Sequence, residues 1–149
     1  MGFIQRIGRL LTDTPLYGPL STIYYRTEII IERSPISNLL NYYYIGQTGS
    51  LVQVKPRNTE FKPFLIQLEP SGKLQRQRAR GVYEPHVLSY LNKMLTAESV
   101  FWEFGAAWGY FSLAAATRVK QVCSFEMMND RVECLRTSVE ANEFNNITI

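Results

Sequence analysis

The sequence predicts an α/β fold: residues 1–80 form a small helix and an antiparallel β-meander, and residues 81–149 begin a parallel sheet with crossover helices. After Gly81, short apolar runs alternate with segments of helical periodicity, which is typical of a parallel sheet. Between residues 50 and 80, alternating apolar and polar runs are separated by turn residues, which favours antiparallel strands. A glycine-flanked loop follows the first apolar run of the second region, as in the first βαβαβ half of a Rossmann-like sheet.

Composition supports a folded chain. Of the 149 residues, 46% are apolar and 13% aromatic, which is enough to bury a core and excludes disorder over the whole length. The net charge of +3 is uneven, because residues 1–80 hold eleven Lys and Arg against five Asp and Glu, whereas residues 81–149 hold five against eight. A basic front half could face an acidic partner, but scattered solvated charge is the interpretation we favour.

Cysteine and histidine usage argues against a metal site. Cys123 and Cys134 form no CxxC pair, and His86 is the sole histidine, so we expect no zinc and two reduced thiols in an intracellular protein. The sequence shows neither the pattern of a signal peptide nor an apolar run as long as a membrane span. We therefore expect a cytoplasmic protein.

The first fifty residues allow several interpretations. Residues 3–11 have apolar positions at helical spacing, and this helix could contact a membrane surface weakly or pack on its own domain. Packing is favoured, because two arginines make a weak basic face. Residues 20–31 fit a helix or a strand, and residues 37–45 are predicted to form a short helix. Its three tyrosines suit packing better than base stacking, so no nucleic-acid partner is expected.

Three runs before Gly81 are predicted strands, namely residues 51–55, 61–68 and 74–80. The third run carries Arg76, Arg78 and Arg80 at every second position. On a strand these arginines would share one face, where they would repel one another unless solvated or bound to an anion.

Helices and strands alternate in the second region. Strands are predicted at residues 100–104, at 121–125 and from 147 onward. Helices are predicted from Pro85, at 110–119, and after an Asn129 cap with Asp130 in the first turn. The buried stripes predicted for the first and last of these helices are Val87, Leu88, Leu91, Met94 and Leu95, and Val132, Leu135 and Val139.

Residues at two strand ends indicate an adenosine site. Gly105 permits a tight turn with close ligand approach, Gly109 lets the next helix start against the strand, and that helix's free N–H groups suit a carboxylate or phosphate. Glu126 ends the next strand, 21 residues after Gly105, where an acidic side chain can accept ribose hydroxyls. Phe125 and Met127 could wall an adenine slot. The alternative for Glu126 is a solvated carboxylate.

These motifs resemble a known family. The segments 81–85, 103–113, 124–126 and 142–149, in this order and spacing, resemble the FkbM family of S-adenosylmethionine (SAM)-dependent methyltransferases. The resemblance implies a class I methyltransferase fold with SAM as cofactor, and O-methylation of a sugar or another small hydroxylated acceptor. Tyr83 and Glu84 match the family's segment that closes over the cofactor.

The resemblance also assigns the site residues. It places the glycine loop and Glu103 against the methionine part of SAM and Glu126 against its ribose. The predicted cofactor-binding residues are Tyr83, Glu84, Glu103, Gly105, Ala106, Ala107, Gly109, Glu126 and Met127. Glu103 interrupts an apolar strand, so its carboxylate needs a partner, either the cationic groups of SAM or the backbone of the glycine loop. No catalytic residue is assigned.

Two departures from the family leave other functions open. Ala107 stands where the family usually has Asn, and Trp108 is bulky for its place. The family's sheet also continues past the third strand, so this chain would hold the cofactor-binding half, and a partner chain could supply the rest. The alternatives are an inactive truncated remnant or interaction module, and an NAD(P)-dependent oxidoreductase. The last is disfavoured, because residues 105–109 lack the middle glycine of G-x-G-x-x-G.

Overall fold

The structure, a computed structural model, describes residues 50–69 and 72–149. The predictions for residues 3–11, 20–31 and 37–45 lie outside the described residues. The elements follow in the order β1 (Leu51–Val54), β2 (Phe64–Gln67), α1 (Gly72–Ala79), α2 (Pro85–Met94), β3 (Val100–Phe104), α3 (Tyr110–Ala116), β4 (Gln121–Phe125), α4 (Asn129–Ala141) and β5 (Ile147–Thr148). They form a two-stranded antiparallel sheet and a three-stranded parallel sheet with helices, a partial Rossmann-like α/β fold. Within these ranges, no helix has the length and apolarity to cross a membrane.

The parallel sheet has the order β3-β4-β5, as the alternation of strands and helices predicted. Phe104 of β3 pairs with Phe125 of β4, so the two strands end level with each other. On one face, Val122 of β4 is fully buried, as are Leu113 of α3 and Leu135 of α4. Burial of these apolar side chains fixes the two crossover helices to that face.

The opposite face of the parallel sheet carries exposed aromatic side chains. Trp102 and Phe104 leave 58% and 74% of their surface exposed, and Phe125 is also exposed. Their rings contact one another: Phe104 stacks on Phe125 at 4.7 Å between centroids, and Trp102 lies 5.7 Å from Phe125. Alternate residues of a strand point to opposite faces of the sheet. In β3, Trp102 and Phe104 therefore lie on the exposed face, and Phe101 lies on the half-buried face.

The antiparallel pair is joined to α4 by side chains. Val54 pairs with Phe64, which confirms the first two predicted strands. The Asn142 amide accepts from the Leu65 N–H at 2.7 Å and donates to the Leu65 carbonyl at 2.6 Å, and the Ser138 hydroxyl accepts from the Gln67 N–H at 2.8 Å. These side chains satisfy the free edge of β2 as a third strand would.

The third predicted strand, residues 74–80, is wrong. Residues 74–79 belong to α1, which ends at Ala79, and Arg80 follows it in a turn. Lys, Leu, Gln, Arg and Ala are all good helix formers, and the segment holds no β-branched residue. In a helix, residues two apart do not share a face, so the predicted row of Arg76, Arg78 and Arg80 does not form.

Details of the other helices differ from the prediction. In α2, Leu88 is buried, but Val87 and Met94 are exposed, so the buried stripe is narrower than predicted. The last turn predicted for α3, residues 117–119, is not α-helical. Asn129 is the first residue of α4 rather than its cap, which is Met128, while Asp130 lies in the first turn as predicted.

Candidate site at the ends of the parallel strands

The glycine loop, residues 105–109, folds back onto the end of β4. The Gly105 and Ala106 N–H groups both donate to the Phe125 carbonyl, at 2.8 and 3.0 Å. Gly105 has a φ of +78°, a left-handed conformation that disfavours other residues, and a Cβ placed there would meet no atom within 4 Å. The loop is therefore fixed by the neighbouring strand and leaves open space at Gly105.

Gly109 serves packing instead. Its φ is +81°, and a Cβ placed there would lie 2.1 Å from Cδ1 of Leu135. Because Leu135 is fully buried, its side chain has little room to shift. Gly109 thus lets α3 start close against α4, whereas the sequence predicted close packing against the strand.

Glu126 binds the backbone of two segments. One carboxylate oxygen accepts from the Ala107 N–H at 2.8 Å, and the other accepts from the N–H groups of Met127 and Met128 at 2.8 and 2.9 Å. These hydrogen bonds, with that of Met128 the largest cause and the Arg131 charge the smallest, hold the pKa of Glu126 below its usual value. The carboxylate therefore stays ionised at the point where the loop meets the start of α4.

Glu103 lies in a buried polar cluster beneath the loop. The Ser112 hydroxyl donates to its carboxylate, and the hydroxyls of Ser112 and Ser124 lie 2.6 Å apart. Burial raises the pKa of Glu103 to about 7, although hydrogen bonding from Ser112 and the charge of Arg78 act in the opposite direction. One of the two partners that the sequence predicted for Glu103 was the backbone of the glycine loop. It is Glu126 that binds an N–H of the loop, whereas Glu103 binds α3.

Glu103 interacts with Ser112 near the start of α3, where the sequence predicted an anion site. The helix has seven residues, and the Ser112 hydroxyl and backbone N–H near its start both favour the ionised form of Glu103. The chain's own carboxyl group therefore interacts with this helix terminus, in the place that the sequence predicted for a ligand carboxylate or phosphate.

A cleft of about 570 Å³ opens at the carboxyl ends of the strands. Three predicted site residues line it, namely Gly105, Glu126 and Met127, together with the predicted wall residue Phe125. The remaining lining residues are Phe104, Ser124, Val132, Arg136 and Ile149. Sequence reasoning missed these five as site residues. The rule that ligands bind at strand ends could have found Ile149, and the four-residue spacing of Val132 and Arg136 on α4 could have found that pair.

Tyr83 and Glu84, two other predicted site residues, are not among the residues that line this cleft. Tyr83 packs its ring against Tyr110 and Phe111, at 5.4 and 5.6 Å between centroids. The guanidinium of Arg78 lies 3.9 Å from the centre of the Tyr83 ring. Glu84 is exposed at the start of α2, with a φ of +41°. Sequence reasoning placed Arg78 on a strand and so missed its contact with this segment.

The described residues offer no clear metal site. In the ranges 50–69 and 72–149, no cluster of three His, Cys, Asp or Glu side chains could hold a metal ion. Cys123 and Cys134 are free and half-buried.

Comparison with known proteins adds little. No family model matches the chain. No curated protein matches it either. Among solved structures, the chain is similar to the M. jannaschii tRNA m1G37 methyltransferase, with 17% identity and a TM-score of 0.42 over 68% of this chain. The match covers 29% of that protein, and at this TM-score the likeness carries no argument about activity.

Proposed function

We propose that this chain binds S-adenosylmethionine and forms the cofactor-binding part of a methyltransferase. The observation that carries the proposal is the 2.8 Å hydrogen bond from the Ala107 N–H to the Glu126 carboxylate. It joins a glycine loop to an acidic side chain at the tip of the adjacent parallel strand, beside an open cleft. Ligands bind at this place in doubly wound sheets.

The residues of the cleft fit adenosine. Its volume of about 570 Å³ is within the range of small-molecule sites, and Phe125 and Met127 supply an apolar wall. A carboxylate has roughly four acceptor positions, of which Glu126 uses three on backbone N–H groups. Glu126 can therefore accept one ribose hydroxyl directly, and must exchange one present hydrogen bond to accept the second.

The residues beneath the loop fit the methionine end. Glu103 is a half-buried carboxyl group with no cation at ion-pair distance among the described residues, and the ammonium and sulfonium of SAM are cations that could offset its desolvation. Open space at Gly105 leaves room for close approach of the ligand. Bound SAM supplies an electrophilic methyl group, and the contribution of this chain is to hold and orient it.

The geometry disfavours a dinucleotide. The pyrophosphate of NAD(P) binds at the start of the helix after the glycine loop, where in this chain Glu103 interacts with Ser112. Like charge would oppose a pyrophosphate there. Ala107, in place of the middle glycine, also has a side chain on a backbone with a φ of +50°.

The finer assignment comes from the sequence motifs. We propose an FkbM-type enzyme of the cytoplasm that methylates a hydroxyl of a sugar or another small acceptor, with a partner chain supplying whatever part of the acceptor pocket this chain lacks. Incubation of the full chain with methyl-labelled SAM and a panel of sugars, small alcohols and small amines tests this. Label recovered in an O-methyl product supports it, and label in N-methyl products alone contradicts the O-methylation.

Isothermal titration of the full chain with SAM and with NAD tests the cofactor. We expect SAM to bind and NAD not to bind. Glu126→Ala should weaken SAM binding by roughly 10- to 100-fold, because charged hydrogen bonds contribute about 1.5–3 kcal/mol. Glu140→Ala, an exposed residue of the same charge on α4, is the matched control and should bind as the wild type does. Preference for NAD would refute the proposal.

A further inference from the structure

Arg78 is a buried cation that no described carboxylate pairs. Only 6% of its surface is exposed, and this burial lowers the pKa of its guanidinium. Its guanidinium donates to the Gln75 side chain at 3.2 Å, and it forms no ion pair within residues 50–69 and 72–149. A guanidinium has five N–H donors, and burying its charge without an anion is costly. This position therefore calls for an anionic group.

Aromatic side chains hold this guanidinium in place. It lies 3.9 Å from the ring centre of Tyr83 and 5.2 Å from that of Trp108. Cation–π contacts of this kind fix a guanidinium through its planar face and leave the N–H groups at its edge available. Tyr83 belongs to the segment that the family resemblance places over the cofactor, and Trp108 belongs to the glycine loop.

Two further hydrogen-bond donors near Arg78 lack acceptors. Trp108 Nε1 and the Tyr110 hydroxyl are both buried, and neither donates to any described residue. Native proteins rarely leave buried donors without acceptors. Three donor groups without an anionic acceptor thus lie together at the start of α3, on the Tyr83 side of the glycine loop.

Charge identifies the ligand group. The charges of Glu84 and Glu103 both act to raise the pKa of Arg78, and neither residue forms an ion pair with it. Glu84 is exposed, whereas Glu103 lies beneath the glycine loop. Glu103 and the Arg78 guanidinium match the two charges of an α-amino acid, whose ammonium would face Glu103 and whose carboxylate would face Arg78. A phosphate would be repelled by Glu103 and carries no group for it to bind.

We propose that Arg78 binds the α-carboxylate of the amino-acid end of the cofactor, with Tyr83 and Trp108 positioning its guanidinium. This inference rests on the proposed function and adds to it a residue that the sequence did not assign. It explains why a charged side chain of α1 is buried against the glycine loop.

Three ligands test the inference by titration against the full chain: SAM, decarboxylated SAM, and 5′-methylthioadenosine, which lacks the whole amino-acid end. The wild type should prefer SAM over its decarboxylated analogue by roughly 10- to 100-fold. In Arg78→Gln this preference should disappear, while binding of methylthioadenosine stays unchanged and shows that the adenosine site is intact. Arg118→Gln, which removes a guanidinium bound to Glu60 and Asn92, is the control and should keep the preference.

An Arg78→Gln chain that binds methylthioadenosine and keeps the wild-type preference for SAM overturns the inference and leaves the proposed function intact. A wild-type chain that binds neither SAM nor methylthioadenosine refutes the proposed function, and the inference with it. Should Arg78→Gln not fold, Arg78→Lys keeps the charge without the planar fork, and we expect it to lose most of the preference. An undiminished preference in Arg78→Lys contradicts the inference in that case.

Discussion

Glu103 and Glu126 are carboxyl groups at the ends of neighbouring parallel strands, and their surroundings shift their pKa values in opposite directions. Glu103 is half-buried against Ser112, and desolvation raises its pKa to about 7. Glu126 is also half-buried but accepts three backbone N–H groups, which lower its pKa. At Glu126, three converging N–H groups stabilise the ionised carboxylate. At Glu103, desolvation raises the pKa by more than the two hydrogen bonds from Ser112 lower it. Sequence position alone therefore does not set the charge of a strand-end acid.

The glycine loop lies between these two carboxyl groups, and Gly109→Ala should lower the free energy of unfolding. The change adds left-handed strain of about 1–2 kcal/mol and a clash with buried Leu135, for a loss of about 4 kcal/mol in the free energy of unfolding. Urea unfolding measures it.

Gly105→Ala is the matched change in the same loop. Its φ is similar, but its Cβ meets no atom, so we expect a loss of about 1 kcal/mol from strain alone. Equal losses for the two variants would contradict the division of the loop into a packed end and an open end.

The raised pKa of Glu103 makes stability depend on pH. The folded chain holds this proton up to about pH 7, whereas the unfolded chain releases it near the usual value of 4.5. The stability that Glu103 contributes is therefore present in full below pH 4.5 and is lost as pH rises through 7. Between pH 4.5 and 7 the free energy of unfolding of the wild type should fall by about 3 kcal/mol relative to that of Glu103→Gln. A difference of one between two pKa values corresponds to about 1.4 kcal/mol.

Urea unfolding at a series of pH values compares the two chains. Glu103→Gln has no titrating group at this position. The contributions of all other titrating groups therefore cancel in the difference between the free energies of unfolding of variant and wild type. A difference that is constant from pH 4.5 to 7.5 would show that Glu103 is not held neutral by burial.

Glu126 should show the smallest effect and the opposite sign. Its folded pKa is lowered, so its contribution to stability is present above the unfolded value and is lost as pH falls through the folded one. Solvent screening limits the difference between wild type and Glu126→Gln to less than about 1 kcal/mol. Side-chain NMR titration of Glu126 checks the direction, and a pKa above the usual glutamate value would contradict the backbone hydrogen bonds.

Much of this arrangement could be predicted because it is encoded locally. Apolar period and turn residues predicted β3, β4 and β5 and their parallel pairing, and glycines spaced around a strand end predicted the loop. The 21-residue separation of Gly105 and Glu126 predicted their meeting, which the Ala107 hydrogen bond confirms. These signals depend on neighbours within one or two elements.

The errors have both local and distant causes. The arginines at every second position of residues 74–80 suggested a strand, but helix propensity and packing made α1 and buried Arg78 against two aromatic rings. The cap of α4 is another case, because Glu126 binds the N–H groups before the helix and Asn129 is left within it.

The sequence by itself determined the alternation of strands and helices, the glycine loop and an acidic group beside it, since spacing along the chain is enough to define them. Only the tertiary structure decided which carboxyl group binds the loop, which has its pKa raised to about 7, and which arginine lies buried beside it. Those properties depend on how much water surrounds each group and which donors converge on it, and residues far apart in the chain set both.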